Sequence, residues 1–286
     1  MEFRRAEEKI MKVLMILSLA VVLVSLISIT YIVVAKGAAA LDWDMITQTP
    51  KGGYYLGKEG GIANAIVGSL YLAVGACILS IIIGLPIAFA LQKEFMFGYY
   101  GHRIVHAARL GLDVLWGIPS IVYGAFGFAI MLWLGIRASL LGGIIVLTFL
   151  MLPIMVRTID EIIKMIPIEL KVAAYSLGAT RIQATAKVIF RQVIPGIITG
   201  ILLAFCRGIG DAASILFTAG YTDYIPRSIM DPVASLPLAI FFQLSTPIPE
   251  VQQRAYASAF ILLVIILAVS LIARLLGFRF SKYVIK

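Results

Sequence analysis

Six stretches of mainly apolar residues alternate with polar segments along the chain, and each stretch is long enough to cross a membrane. A bilayer core of about 30 Å needs about 20 apolar residues in helical form, because every backbone polar group must be hydrogen-bonded within the segment. The pattern therefore predicts an all-α, polytopic membrane protein with six transmembrane helices. The predicted spans cover residues 13–35, 65–91, 111–134, 139–156, 196–219 and 256–276.

The composition fits a membrane protein, and the distribution of charge predicts its orientation. Hydrophobic residues make up 61% of the chain and charged residues 14%, with a mean hydropathy of +1.01. Six spans put both termini on one side, and that side carries most of the 24 Lys and Arg residues. Because basic residues accumulate in cytoplasmic loops, both termini are predicted to be cytoplasmic. The two cysteines lie in different apolar spans and indicate neither a disulfide framework nor a metal site.

The predicted fifth span carries two neighbouring patterns. Small residues recur every four positions and form a ridge on which another helix can pack closely: Gly196, Gly200, Ala204, Gly208 and Ala212. A polar stripe lies beside this ridge and consists of Arg207, Asp211, Ser214 and Thr218. A helix with a packing face next to a polar face is suited to line a pathway for a solute.

Arg207 and Asp211 need partners or water, since a charge at mid-bilayer costs at least about 2.5 to 3.5 kcal/mol on insertion scales. Two interpretations stay open. The two side chains form an i to i+4 ion pair that braces the bundle, or Arg207 contacts a passing anion while Asp211 orients the anion or holds Arg207 without substrate. A guanidinium suits an oxyanion because its planar fork donates paired hydrogen bonds and stays charged.

Two other charged residues lie near the ends of predicted spans. Arg157 ends the fourth span, and it is either a second anion contact or a positive anchor at the cytoplasmic edge. Asp113, at the start of the third span, is ambiguous in the same way, between a functional and a structural role. On the outer side, the segment SLPLAIFFQL within residues 220–255 is too short to cross. We expect that segment to lie at the interface or to pack on the outer mouth.

The polar segment between the fourth and fifth spans, residues 157–195, is predicted to form short cytoplasmic helices. One helix ends at Ile166, the second covers about residues 168–177 and the third about residues 180–194. Gly178 suits the left-handed cap that ends the second helix, and Thr180 suits the N-cap of the third. A membrane loop of this length is expected to bind a partner.

This segment resembles the EAA loop of ABC importer permeases, a short helix pair that docks into a groove of a cytoplasmic ATPase. The match rests on the frame xAAxxxG, formed by Ala173, Ala174 and Gly178, and on Pro195 and Gly196 at the return to the membrane. The family's leading Glu falls on Val172. The resemblance implies that the ATPase is contacted by Val172, Ala173, Ala174, Tyr175, Leu177 and Gly178.

Three other motifs resemble one branch of these permeases, the phosphate importers of the PstA family. GIPSIVYG at residues 117–124 is similar to the motif in that family's third span, and MLPIMVRTIDE at residues 151–161 to the stretch that leads into its cytoplasmic loop. RGIGDAASILFTAG at residues 207–220 resembles the pattern RxIGE(T)AP(L)LFT, with Asp211 in place of the usual Glu. The resemblance implies that Arg157 and Arg207 act in transport.

The resemblance also implies a fold and an assembly. The fold is the MetI-like architecture of type I ABC importer permeases, in the plasma (inner) membrane of a prokaryote. The expected partners are a second, PstC-like permease, a PstB-like dimer of ATPase subunits and a PstS-like extracytoplasmic phosphate-binding protein. The resemblance divides the chain into an N-terminal helix and outer loop (1–61), a permease domain (62–280) that includes the coupling loop 157–195, and a cytoplasmic tail (281–286).

The chain contains no GxxxxGK[ST] phosphate-binding loop, so ATP hydrolysis is expected in another polypeptide. We accordingly expect a transporter subunit that is not an enzyme and holds no cofactor, with ATP and Mg²⁺ on the partner ATPase. Other oxyanions, namely sulfate, molybdate and phosphonate, stay possible as substrates. An ion-gradient-driven transporter or an anion channel explains Arg207 equally well, but it leaves the AAxxxG segment unexplained.

Overall fold

The computed structural model describes residues 2–51, 60–92 and 98–281, and these ranges are helical with irregular connections. The all-α prediction is therefore confirmed. Of the predicted tail, residues 282–286 lie outside the described residues. The helices are α1 (Glu2–Ala39), α2 (Trp43–Thr47), α3 (Ala63–Ala90), α4 (Gly98–Gly117), α5 (Ser120–Trp133), α6 (Leu140–Lys164), α7 (Ile168–Ser176), α8 (Arg181–Gln183), α9 (Phe190–Ile209), α10 (Leu236–Leu244) and α11 (Pro249–Ser281).

Five helices of the described chain are long and apolar enough to cross a membrane, and a bent pair makes a sixth span if it is counted as one. The bent pair corrects the prediction for residues 111–134. A continuous third span is wrong, because the segments Arg103–Gly117 and Ser120–Trp133 meet at 101°. Pro119 lies at the break and is the N-cap residue of α5. A proline restricts the residue before it to extended backbone, so α4 ends there.

The fifth span also differs from its prediction. The helix of this span runs without interruption over Arg181–Ile209. It passes through a π-helical turn at Ala184–Ile189 and through Pro195, where a break had been expected. The predicted helical end over residues 210–219 is wrong, because α9 ends at Ile209 and turns follow. The Asp211 carboxylate accepts a hydrogen bond from the backbone N–H of Ser214 at 2.8 Å, a local bond that competes with helix formation.

The core lies where α3, α6 and α9 pack together. Its fully buried side chains include Leu72, Leu147, Met151, Met155, Ile159 and Val193. Small residues set the distance between α6 and α9. A Cβ at Gly196 would lie 2.5 Å from Cγ2 of Ile162, and a Cβ at Gly208 would lie 2.6 Å from Sδ of Met151. The small-residue ridge of α9 therefore lies against α6, and the two helices run antiparallel.

The first helix, α1, lies apart from this core. Apart from Val33, its apolar side chains from Ile10 to Val34 are exposed, as expected for a helix that faces lipid or another subunit. It touches α11 near its C-terminal end, where Lys36 Nζ lies 3.3 Å from the Tyr256 hydroxyl and 4.7 Å from the ring centroid. Gly37 packs on Phe260 of α11 at the same level.

The segment SLPLAIFFQL forms α10, which packs against α11 and α3 on the side of the molecule that holds α2. Leu236, Leu238 and Ala239 are fully buried, while Phe241 is exposed. The Ser69 hydroxyl accepts a hydrogen bond from the backbone N–H of Leu236 at 2.7 Å. The segment is therefore a packed part of the fold, which is one of the two positions predicted for it.

Candidate functional site

Arg207 and Asp211 form an ion pair where α9 ends. Nη1 of Arg207 lies 2.7 Å from Oδ1 of Asp211. The carboxylate is buried, whereas 46% of the Arg207 side chain is exposed. Oδ2 of Asp211 accepts from the backbone N–H of Ser214, so both carboxylate oxygens are engaged. The pair anchors the turn after α9 and leaves part of the guanidinium accessible to another anion.

Ser214 and Thr218 lie in this turn segment and not on a helical stripe with Arg207. Both side chains are buried, and the Thr218 hydroxyl donates to the carbonyl of Ser214 at 3.3 Å. Helix α5 crosses the segment closely, since a Cβ at Gly124 would lie 2.7 Å from the Ser214 carbonyl oxygen. The predicted polar stripe is thus corrected: Arg207 and Asp211 are brought together, while Ser214 and Thr218 pack inward.

A cleft opens beside the same turn. It has a volume of about 630 Å³ and lies between the end of α9, α10 and α11. Gly210 and Ala212 line it on one side, and Pro237, Phe241 and Leu262 on the other. These walls are mainly apolar, so the cleft supplies space next to the ion pair and few hydrogen-bond donors.

Arg157 lies among carboxylates on α6 and α4. Its Nε is 2.8 Å from Oδ1 of Asp113, and its Nη1 is 3.4 Å from Glu161 and 3.7 Å from Asp160. Asp113 belongs to α4, so the shortest of these contacts joins two helices. The two charged residues near the ends of the predicted third and fourth spans therefore pair with each other.

A buried ionic cluster that was not predicted from the sequence lies beside Arg157. Asp160 is fully buried and receives two hydrogen bonds from Arg109, from Nε and Nη2, each at 3.0 Å. Gln92 donates to Asp160 at 3.0 Å, and Lys164 Nζ lies 2.8 Å away. Arg109 also donates to the Leu91 carbonyl at the end of α3. The cluster therefore ties the C-terminal end of α3 to α4 and α6.

A sequence signal for this cluster does exist. Asp160 shares the buried face of α6 with Val156, Ile159 and Ile163, at the i, i+3, i+4 and i+7 spacing of a core-facing stripe. A carboxylate on such a stripe must find a buried cation.

The segment from α7 to α8 presents an apolar surface. Leu177 is 90% exposed, and Val172 and Tyr175 are exposed as well, whereas Ala174 is only 8% exposed. Of the predicted ATPase contacts, Ala174 therefore points toward the protein, because α7 packs against the π-helical turn on that side. Ala173 lies on the exposed part of α7.

The turn that follows α7 has the predicted geometry. Gly178 has φ of +79°, the left-handed conformation that favours glycine. Thr180 caps α8, and its side chain forms a capping box with Gln183. These two residues fix the angle at which α7 leaves the long helix.

A second buried charge lies on the side of α10 and was not predicted. Arg254 of α11 is fully buried and close to Asp223 in the segment after Gly220. Burial raises the pKa of the Asp223 carboxyl, and the positive charge of Arg254 acts in the opposite direction. The hydroxyl of Ser258, one turn further along α11, is buried without a hydrogen-bond partner in the described part of the chain.

The described residues contain no group of three or more His, Cys, Asp or Glu side chains that could hold a metal ion. The chemistry available at the site is that of two arginines, each paired with a carboxylate.

Comparison with known proteins adds a family. The profile described as "Binding-protein-dependent transport system inner membrane component" matches residues 80–282. The phosphate transport system permease protein PstA of Xylella fastidiosa (strain Temecula1) is 36% identical over 250 residues, which cover 86% of this chain and 84% of that protein. PstA of Mycobacterium leprae is 32% identical over 282 residues, with 97% and 90% covered.

A solved structure is similar as well. A chain of the MetNI methionine ABC transporter in inward-facing conformations superposes with a TM-score of 0.57 at 18% identity, and the match covers 79% of this chain and 96% of that chain. At this identity the match concerns the fold alone. The helices α3 to α11 thus have the architecture of a type I ABC importer permease.

Proposed function

Since the chain belongs to the family of binding-protein-dependent inner membrane transport components, and within it to the PstA permeases, we propose that it is a permease subunit of an ATP-driven importer of inorganic phosphate. It forms part of the translocation pathway and has no ATPase activity of its own. The ion-gradient-driven transporter and the anion channel are not favoured, because the members of this family work with a separate ATPase.

One observation carries the proposal at the level of the site. Arg207 stands at the end of a membrane helix, is half-exposed, and is held by one buried carboxylate at 2.7 Å. A guanidinium in this position offers a planar, permanently charged fork to a tetrahedral oxyanion. The carboxylate neutralises it when no anion is present, which lowers the cost of a charge within the bilayer.

Arg157 supplies a second cation on the same route. Met151 of α6 packs against Gly208 of α9, the residue after Arg207. Measured along the helix axis at 1.5 Å per residue, Arg157 therefore lies roughly 8 Å from the level of Arg207. With cytoplasmic termini, Arg207 is the outer contact and Arg157 the inner one. A phosphate ion would pass from the first guanidinium to the second.

The segment α7 to α8 is the docking surface for the cytoplasmic ATPase. Its exposed apolar residues, Leu177 and Val172, suit a groove on a partner, and the helix Arg181–Ile209 leads from this surface to Arg207 without a break. ATP and Mg²⁺ bind to the ATPase and not to this chain. The proposed assembly contains a PstC-like permease, a PstB-like ATPase dimer and a PstS-like binding protein, in a prokaryotic inner membrane with both termini of this chain in the cytoplasm.

The test is uptake of labelled phosphate into vesicles that contain the whole complex, with and without ATP inside. Unlabelled phosphate, sulfate and molybdate are added as competitors at equal concentrations. We expect uptake that needs ATP and that only unlabelled phosphate suppresses strongly. Uptake driven by an ion gradient without ATP, or suppression by sulfate or molybdate as strong as by phosphate, would contradict the proposal.

A substitution tests the site within the same assay. Arg207→Ala is expected to abolish uptake in a complex that still assembles, because the oxyanion loses its charged donor. The matched control is Arg137→Ala, which removes an exposed arginine from the connection between α5 and α6 and should leave uptake unchanged. Normal uptake by Arg207→Ala would remove Arg207 from the pathway.

A further inference from the structure

Of the three carboxylates near Arg157, two are held by other cations. Asp160 is held by the paired hydrogen bonds of Arg109 and by Lys164, and Glu161 lies 2.8 Å from the same lysine. Among the described residues, the ion-pair contact of Asp113 runs to Arg157 alone, at 2.8 Å. Asp113 is thus the carboxylate most directly assigned to Arg157.

The exposure of this pair sets it apart from the buried cluster beside it. The Asp113 side chain is 48% exposed, whereas that of Asp160 is fully buried. A solvated carboxylate leaves an ion pair at little cost, because water replaces its partner. A buried carboxylate cannot leave without an uncompensated charge. Of the two arginine contacts, Asp113 with Arg157 can open and Asp160 with Arg109 stays closed.

The position of Asp113 gives the opening a mechanical consequence. Asp113 lies one helical turn before Gly117, where α4 ends and the chain bends by 101° into α5. The ion pair with Arg157 therefore attaches the C-terminal end of α4, just before the bend, to α6. Release of the carboxylate frees that end of α4 while the Arg109 and Asp160 contact keeps the helix attached.

We propose that Asp113 is the counter-ion of the inner arginine: it holds Arg157 between transport events and yields it to the passing tetrahedral oxyanion. The inference rests on the proposed function, because it takes Arg157 as a contact of the pathway. Asp113 acts through Arg157 and is a positioning residue. Nε of Arg157 cannot donate to the carboxylate and to an oxyanion in the same geometry, so the two anions compete for one fork.

The competition is measured by phosphate binding and not by uptake, since uptake also reports delivery by other subunits. The purified complex of the two permeases and the ATPase dimer, in nanodiscs and without the binding protein, is titrated with inorganic phosphate by calorimetry. Asp113→Asn keeps the shape of the side chain and removes its charge. We expect phosphate to bind about five- to ten-fold more tightly, because the apparent affinity rises as the fraction of free Arg157 rises. A merely structural role for Asp113 predicts the opposite sign.

Four further variants complete the test. Asp113→Glu should restore the affinity of the wild type. Glu161→Gln removes a carboxylate 3.4 Å from the same arginine and should change the affinity by less than about two-fold, since a partly exposed pair on one helix contributes little. Asp113→Asn in an Arg157→Gln background should have no effect, because the arginine for which the two anions compete is absent. Asp113→Ser is the second charge-removing variant and is expected to shift the affinity in the same direction.

The outcomes separate the two claims. If Arg157→Gln binds and transports phosphate like the wild type, Arg157 is not a pathway contact and that part of the proposed function fails. If Arg157→Gln loses phosphate binding while both Asp113→Asn and Asp113→Ser bind phosphate no more tightly than the wild type, the counter-ion role fails and the pathway stands. Tighter binding by Asp113→Asn that persists without Arg157 also overturns the counter-ion role.

Discussion

Individual charged residues on apolar helix faces decide much of this structure. Asp160 and Arg254 each occupy a core-facing position, and each lies close to an opposite charge from another segment. Such pairs are costly to bury but more costly to break, because the remaining charge then has no partner. They hold α4 and the segment after Gly220 in place.

Asp160→Ala should destabilise the protein strongly, because it leaves Arg109 and Lys164 without their shared carboxylate. We expect a loss of about 3 to 5 kcal/mol, the range for one partner removed from a buried pair. Unfolding by SDS titration in mixed micelles measures it. Glu161→Ala, the adjacent and exposed carboxylate, is the control, with an expected change within about 0.5 kcal/mol. Equal effects of the two variants would show that burial of Asp160 is not what matters.

At this scale the sequence could identify Arg207 and Asp211, because both interrupt an apolar run and stand four residues apart. The structure shows the two side chains paired, which both interpretations allow when no anion is bound. The partner of Arg157 on another helix could not be found in this way. Asp113 lies on a different helix, and the contact depends on how α4 packs on α6, which no local spacing encodes.

Among the elements, the turn after α7 and the close crossings of α3 and α5 depend on glycine for different reasons. Gly178 needs its positive φ and has open space around a Cβ, whereas Gly68 leaves no space, since a Cβ there would overlap the Ala234 carbonyl oxygen. A substitution at Gly178 therefore tests backbone conformation, and a substitution at Gly68 tests packing.

Gly178→Val should uncouple ATP hydrolysis from transport. A β-branched residue is strained in the left-handed region by about 1 to 3 kcal/mol, so the angle between α7 and the long helix should change. The ratio of ATP hydrolysed to phosphate imported by the complex in vesicles is expected to rise. Gly178→Asn is the control, because Asn tolerates this conformation, and it should keep the ratio of the wild type. A Val variant with normal coupling would mean that the turn geometry is not transmitted.

Gly68→Ala should destabilise the contact between α3 and the segment before α10. The added methyl group has to displace backbone, and overpacking of this kind costs about 1 to 3 kcal/mol. Gly111→Ala on α4 is the control, since a Cβ there meets nothing within 4 Å, and a helical Ala is favoured over Gly by up to about 1 kcal/mol. Thermal unfolding of the two purified variants in detergent compares them, and a Gly68→Ala variant as stable as Gly111→Ala would contradict the packing.

The existence of the membrane helices could be predicted, because length and hydropathy are local properties. The bend after Gly117, the end of α9 at Ile209 and the π-helical turn could not be placed. Gly117 and Pro119 mark a weak point but do not give an angle of 101°. The end of α9 depends on one side chain, Asp211, which caps a turn that apolar residues would otherwise extend as helix.

On the scale of the whole molecule, most of the apolar surface of α1 and the tip of the α7 to α8 segment are left uncovered. Both are expected in a subunit that meets lipid and other chains. The exposed fractions of the side chains also indicate which residue of this segment should be used to test the ATPase contact. Leu177 projects from the tip, while Ala174 is turned toward the π-helical turn.

Leu177→Cys should therefore cross-link to a cysteine introduced in the ATPase groove, within the assembled complex and with a short bifunctional reagent. Ala174→Cys is the matched control from the same helix, and its buried position should give little product. The yields are compared on denaturing gels before and after ATP is added. If Ala174→Cys reacts and Leu177→Cys does not, the face of α7 that docks is the opposite one.

Because the helix from Arg181 to Ile209 is continuous, a small movement of the ATPase at one end shifts the other end by several ångströms. The distance from Arg181 to Arg207 is about 39 Å at 1.5 Å per residue. A rod of that length, tilted by about 5° about its lower end, carries its upper end sideways by roughly 3 Å, and a displacement of that size added to a hydrogen-bond distance breaks the bond. A small angular stroke in the cytoplasm is then enough to change which groups outside this helix Arg207 can reach, while Asp211, two residues after the helix end, moves with it.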